Sequence, residues 1–218
     1  ALAALSELDA DLVVLAGDVV SNHLHEFDSH QEALSRLRAE LGVLTVLGNH
    51  EHYTRAPDEM RRRLEGLGFE MLHNRSVEIE RRANGKSGTL RFAGIDDTQT
   101  GSPDLEAALE GSEPASPTVL ISHNPDILFE AARPGVPLVL SGHTHGGQLR
   151  LPWLPPPVTM SQHRFVSGHY SYAFAPAPPE PGEAQATQLV LTRGIGVVGM
   201  PLRLFCPPEA VLLTLAGG

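Results

Sequence analysis

Asp11-Leu-Val-Val-Leu-Ala-Gly-Asp18 decides how the rest of the chain is read. Its apolar run is short, rich in Val and unbroken by polar residues, the pattern of a strand covered on both faces. It stops at Gly17-Asp18. Val43-Leu-Thr-Val-Leu47 repeats the pattern and stops at Gly48-Asn49-His50-Glu51. Thr118-Val-Leu-Ile-Ser122 runs into His123-Asn124-Pro125-Asp126, and Pro137-Leu-Val-Leu-Ser141 into Gly142-His143-Thr144-His145-Gly146-Gly147.

Working outward, Ala33, Leu34, Leu37 and Leu41 recur at three- and four-residue spacing and predict a helix over 31–41. A second, basic-faced helix is predicted over 57–67, closed by Gly68. The alternation Val77-Glu-Ile-Glu80, the Asn84-Gly85 pair and the apolar stretch over 89–95 predict a hairpin. Short helices are predicted over 104–110 and 126–132, and strands over 188–192, 202–205 and 211–215. The proline-rich segment 175–181 reads as a surface loop. Alternating strands and helices with a β-rich tail make an α/β layered domain.

The chain has 218 residues, 41% of them hydrophobic, which suits one domain with a sizeable core. Residues 1–8 read as the end of an amphipathic helix with no initiator Met and no start signal. The expectation is therefore a single domain over 1–218, incomplete at its N-terminus, with its compartment open between cytoplasmic and membrane-peripheral. Lys and Arg number 16 against 26 Asp and Glu, a formal charge of −10. That balance gives no global pull toward duplex nucleic acid or anionic lipid, so an anionic substrate would need a local positive charge such as a metal. One cysteine, Cys206, makes no intramolecular disulfide; it falls in a predicted strand and reads as a packed core thiol. Eleven histidines are an unusual load, and many lie beside Asp, Asn and Gly.

Four strands that deliver Asp, Asn, His and His-x-His to one sheet edge assemble a set of oxygen and nitrogen donors where α/β sheets bind ligands. Taken singly, Gly-Asp reads as a turn and His123 as a packed or capping residue. Together, and in this order, the four clusters read as a metal site. Imidazole donors favour Mn, Fe or Zn over Ca or Mg.

At these residues the chain resembles the calcineurin-like metallophosphoesterases. Their pattern is Asp-x-His, Gly-Asp, Gly-Asn-His-Asp/Glu, a His, then Gly-His-x-His, and every element but the first is here in order. The stretch from Thr192 to Phe205, with Ser141-Gly-His-Thr-His-Gly-Gly-Gln148, is similar to a narrower branch of bacterial phosphodiesterases and UDP-diacylglucosamine hydrolases. The fold this implies is α/β, a two-sheet β-sandwich flanked by helices, with an N-terminal strand missing. The resemblance assigns Asp18 as the carboxylate bridging two metals, with Asn49, His123 and His143 as ligands of one and His145 as a ligand of the other. It assigns His50 as a non-ligating catalytic histidine. The cofactors implied are two divalent transition-metal ions, Mn²⁺ first, with Fe or Zn in its place.

The expected activity is metal-dependent hydrolysis of a phosphodiester or pyrophosphate. Two cations about 3.5–4 Å apart would hold a bridging hydroxide against phosphorus. A phosphomonoesterase or protein phosphatase would use the same site, although no Asp-Arg-Gly follows Gly17. A catalytically inactive scaffold of the same fold is the reading from another class; such chains lose ligands, and all six named residues are present here. The partner expected is a small-molecule or lipid-linked phosphoester.

Substrate-binding residues stay open. Trp153, with the leucines and prolines around it, reads either as packed into the domain or as an apolar lip for acyl chains or peripheral membrane contact. Arg61, Arg62 and Arg63 read as a solvated helix face or a phosphate grip. His163, His169 and Tyr170 are placed on a late loop as pocket candidates. Asp96 and Asp97 are placed as partners behind a histidine or as turn residues. The segment 22–25, with His23 and His25, reads as a polar loop or as extra nitrogen donors.

Overall fold

The computed structural model describes residues 9–83, 86–111, 117–174 and 186–215. The first two apolar runs form β1 (Val13–Leu15) and β2 (Val43–Thr45), which pair in parallel; β3 (Glu70–Met71) extends them into a three-stranded sheet. The second sheet has six strands: β4 (Arg75–Ala83), β5 (Lys86–Gly94), β6 (Thr118–Ile121), β7 (Leu138–Ser141), β8 (Gly168–Tyr172) and β9 (Thr187–Leu191). Their order is β4-β5-β6-β7-β9-β8, with β5, β6, β7 and β9 parallel and both edges antiparallel.

Side chains alternate across each strand, so each sheet feeds two cores. Val14, Leu44, Val46, Val119, Ile121 and Leu140 meet between the sheets. Val13, Leu15 and Val43 point the other way, onto helices α1 (Glu26–Leu34) and α3 (Pro57–Gly66), through Phe27, Leu34, Met60 and Leu64. Leu120, Val139 and Leu189 turn toward α4 (Leu105–Leu109) and α5 (Leu128–Ala132), through Ala108, Leu128 and Ala131. The layering is helix, sheet, sheet, helix, as expected. Each fully buried Leu or Ile in these layers contributes about 1.5–3 kcal/mol of transfer free energy. No helix among the described residues is long and apolar enough to cross a membrane.

Several boundaries differ from those predicted. The helix expected over 31–41 lies earlier, at Glu26–Leu34. Leu37 still reaches the core, carried by a turn in which its amide donates to the Leu34 carbonyl. A turn satisfies the same apolar spacing, and Gly42, at φ +98°, leads into β2. The hairpin pairs Arg75 with Gly94 through Ala83 with Lys86; its Asn84-Gly85 turn lies outside the described residues. The proline-rich stretch 175–181 lies outside them too. The strands predicted over 202–205 and 211–215 are absent; the first makes only an isolated bridge, Leu149 with Leu204. Cys206 is buried but lies in no strand, so that placement is corrected.

Candidate metal centre

β1, β2, β6 and β7 run parallel within their sheets, and their carboxyl ends release the four polar clusters side by side. Gly17 and Gly48 let the turns touch. A Cβ on Gly17, at φ +88°, would stand 2.6 Å from the Gly48 amide nitrogen and 2.8 Å from His123 Nδ1; one on Gly48 would strike the Asp18 carboxylate. Asp18, His143 and His145 all hold left-handed backbone, at φ 56°, 70° and 50°. Such residues cost about 1–3 kcal/mol each and persist where the surroundings over-determine them.

Two backbone carbonyls set the imidazole tautomers. His123 Nδ1 lies 2.6 Å from the Ala16 carbonyl and donates to it, so Nε2 carries a lone pair. His143 Nε2 donates to the Met160 carbonyl at 3.1 Å, so its Nδ1 carries one too. These two nitrogens face each other at 3.0 Å, and Asp18 Oδ2 lies 3.0 Å from His123 Nε2. Asp18 Oδ2 has no hydrogen bond of acceptable angle in spite of that proximity. Three lone pairs thus converge, with donor atoms from Asp18, His123 and His143 all within 4.8 Å of one another. Repulsion among them calls for a cation, and separations near 3 Å suit donors sharing one ion at about 2.0–2.1 Å.

The proton equilibria carry the same demand. Burial works against charge on His123, but the negative charge of Asp18 at 3.0 Å, the Ala16 carbonyl and Glu51 outweigh it and push the imidazole up to about 9. Burial and the neighbouring His123 push His143 down. Burial also opposes charge on Asp18, yet His123 and His50 hold its carboxyl below the usual range. A proton on His123 fills the place a divalent ion would take.

Asn49 opens the short helix α2 (Asn49–Tyr53); it is buried and its Oδ1 has no hydrogen-bond partner. The next residue, His50, donates its backbone amide to Asp18 Oδ1 at 3.1 Å. The His50 ring donates from Nδ1 to the Ser21 carbonyl, leaving Nε2 free. His145 falls outside the three-residue group. Its Nδ1 is buried and unpartnered, and burial, helped by Arg203, pushes it down to about 4, so it is a neutral donor at pH 7. An unpartnered oxygen on Asn49 and an unpartnered nitrogen on His145 are the atoms a metal would recruit. The donor set fits transition-metal ions.

Glu51 was given no role from sequence, and it holds the site together. Fully buried, it accepts the amides of Val19 (2.6 Å) and Val20 (3.3 Å) on one oxygen, and of Asp18 (2.9 Å) and Gly48 (2.7 Å) on the other. Burial and the nearby Asp18 push its carboxyl up, and the four amides favour the ionised form against that. Asp126 acts at second remove. It accepts from Ser161 Oγ (2.5 Å) and the Gln162 amide (2.8 Å), fixing the turn beside Met160, whose carbonyl aims His143. The only sequence signal for either was an acid within a polar cluster; backbone carbonyls such as Ala16 and Met160 leave none.

Other candidates lie elsewhere. Arg61 pairs with Asp58, Arg62 with Glu59, and Arg63 with Glu59 and Asp28, so all three guanidinium groups are engaged by acids, Arg62 in the open and Arg61 and Arg63 half-buried. His163 is exposed and packs on Phe129; His169 is exposed and Tyr170 half-buried on β8, a strand rather than the expected loop. Asp96 takes His52 at 2.8 Å rather than a ligand histidine and is held at about 2: burial opposes its charge, but His52 and the Ser102 and Asp97 amides outweigh it. Asp97 is buried with an unpartnered Oδ1, and its charge acts on His143. His23 and His25 stack on each other in an exposed loop. Trp153 is 98% exposed, which overturns the reading that packs it into the domain. The larger cavity, about 850 Å³ and lined by Asp104, Leu109, Glu130 and Arg133, contains none of the convergent donors.

A sequence profile of calcineurin-like phosphoesterases matches residues 1–147. An uncharacterised metallophosphoesterase of Bacillus subtilis, YkuE, is 29% identical over 215 residues, covering 97% of this chain and 70% of that protein. An uncharacterised metallophosphoesterase of Aquifex aeolicus is 30% identical over 217 residues, covering 95% of this chain and 73% of that protein. A zebrafish transmembrane protein with a metallophosphoesterase domain is 30% identical over 223 residues; this chain spans 47% of its length.

Proposed function

The chain belongs to the calcineurin-like phosphoesterase family, hydrolases of phosphoester bonds, and from that premise we propose that it hydrolyses a phosphodiester or pyrophosphate with two divalent ions, manganese first. The observation that carries this reading is the convergence of lone pairs from Asp18, His123 and His143, with both tautomers fixed by backbone carbonyls.

Asp18, Asn49, His123 and His143 would hold one ion, and Asp18 with His145 would supply donors to the other. The ions supply positive charge for the phosphoryl oxygens and acidify water near neutral pH. The chain supplies the rest. Asp18 offers two oxygens and a full charge, which an amide at that position would lack. Neutral Asn49 and the histidines leave the site net positive toward phosphate. His50, pinned through Nδ1, presents Nε2, which in its protonated form gives a proton to the leaving oxygen. Water gives up a proton to solvent as its oxygen bonds to phosphorus, the bond from phosphorus to the leaving oxygen breaks, and that oxygen departs with the proton from His50. The resemblance to the branch of bacterial phosphodiesterases and UDP-diacylglucosamine hydrolases supports a diester or pyrophosphate over a monoester.

The test is turnover of bis(4-nitrophenyl) phosphate with Mn²⁺, alongside metal analysis of the purified protein. Asp18→Asn and His143→Ala should each lower kcat by about a thousandfold or more while circular dichroism stays unchanged. Unchanged turnover in both variants, or protein that binds no metal, refutes the proposal.

A further inference from the structure

Beside the convergent donors lies a second cavity of about 190 Å³. Leu149, Pro157, Val158, Met160, Val198 and Met200 form its apolar wall, and Thr144 and His145 line it too. Among the described residues no Asp, Glu, Lys or Arg lines it. His145 is two residues from His143, at most about 7 Å along the chain. Met160 belongs to both places: its carbonyl meets His143, and the residue lines the cavity.

The wall is fixed by polar clips, the first of them from Gln148, which also lines the cavity. Gln148, buried, donates from Nε2 to the carbonyls of Val198 (3.0 Å) and Met200 (2.9 Å) and accepts the Val198 amide on Oε1 at 2.8 Å. The Arg150 amide donates to the Leu204 carbonyl at 2.9 Å, and the Leu204 amide to the Gln148 carbonyl at 3.0 Å. Gly147, at φ +75°, allows the other wall to close, because a Cβ there would strike Pro156. A preorganised apolar wall takes a ligand without an ordering cost. An apolar cavity of about 150 Å³ takes a benzene-sized guest, so this one matches a ring or a chain of about six carbons.

We propose that this cavity receives the apolar non-leaving ester group of the substrate, an alkyl chain of about six carbons, and so makes the enzyme selective for phosphodiesters of apolar alcohols. The inference rests on the phosphoesterase reading for its catalytic consequence. Thr144 and His145, which line the cavity, follow His143 directly in the chain, so an ester group seated there stands beside the convergent donors.

The test compares methyl and hexyl 4-nitrophenyl phosphates, which share a leaving group, with Mn²⁺-loaded protein. The hexyl ester should show a kcat/KM about tenfold higher or more. Val158→Asp and Met200→Asp change exposed residues and should bring that ratio to about one, with melting temperature as the check on folding. Hexylphosphonate should also bind about tenfold tighter than methylphosphonate by calorimetry, an advantage lost in the same variants. Equal kcat/KM for both esters, or equal affinity for both phosphonates, overturns the proposal. A chain-length-dependent affinity in protein that hydrolyses neither ester supports the cavity and overturns the phosphoesterase reading instead. A hexadecyl ester in phosphatidylcholine vesicles that outpaces the hexyl ester overturns the size assigned to the occupant.

Discussion

The strand-end turns around Asp18, Asn49, His123 and His143 and the two loops beyond β7 and β9 are built on opposite terms. In the turns, polar groups are buried and aimed: Glu51 takes four amides, Ala16 and Met160 fix two imidazoles, and glycines let the turns meet. In the loops, apolar groups face water: Trp153, Leu154, Met200, Phe205 and Leu212 are all exposed. Burial makes the first region costly to disturb, since a buried polar group that loses its partner keeps the full desolvation penalty. Exposure makes the second inexpensive to alter, so its residues answer to what they bind rather than to the fold. Substitutions in the two regions should therefore differ in kind as well as in size.

Glu51→Gln is the largest test of that difference short of removing a ligand. The carboxylate receives two amides on each oxygen. An amide side chain has one oxygen, and its NH₂ would face two further donors. Two buried N–H groups left unpaired cost about 2–6 kcal/mol, which lowers the melting temperature by about 4–24 °C for a chain of this size. The turn at Asp18 would lose its aim, so Mn²⁺ affinity should fall in the same variant. A variant that melts like the parent and binds Mn²⁺ equally would break the comparison.

Next in size is a pH effect on the metal centre. With no ion bound, His123 holds its proton up to about pH 9. A metal must displace that proton, so affinity should rise about tenfold per pH unit from 6 to 8 and level off above about 9. About one proton should be released per ion near pH 7, measurable by calorimetry in buffers of different ionisation enthalpy. The sign extends to stability of the metal-free protein. The folded imidazole titrates above its unfolded value, so its contribution is complete below about pH 6.5 and lost as pH rises through about 9. Mn²⁺ affinity independent of pH over 6–8 would show that the lone pairs do not converge on the ion.

What could be read from the sequence divides along the same line. The four apolar runs and the order of their polar tips were legible because a buried parallel strand leaves an unbroken Val- and Leu-rich stretch, and a turn at its end needs glycine. Asp18, His123 and His143 come together as expected because all three leave carboxyl ends of parallel strands. Glu51 stands in the Gly-Asn-His-Glu motif, yet nothing in its neighbours announces that three of its four donors lie 31 to 33 residues away along the chain, the Gly48 amide alone being local. Met160 acts through a carbonyl, a group every residue has. The tail misled for a related reason: apolar residues over 202–205 and 211–215 have strand composition, but both stay exposed outside the sheets. Composition reports what a segment would bury, and tertiary pairing decides whether it does.

The smallest effect expected is at Trp153, the chain's one tryptophan. It is 98% exposed and holds left-handed backbone at φ 66°. Removing an exposed ring forfeits almost no transfer free energy. Trp153→Gly also relieves backbone strain of about 1–2 kcal/mol, against about 0.5–1 kcal/mol of extra chain entropy in the unfolded state. The net change should stay within about 1 kcal/mol, with a melting temperature within about 4 °C of the parent and on the higher side of it. The same deletion inside the strand layers, for example Leu120→Ala, should cost about 2–5 kcal/mol. A Trp153→Gly variant that loses as much stability as Leu120→Ala would mean that the ring is covered in solution, and the loop would then belong with the buried region rather than opposite it.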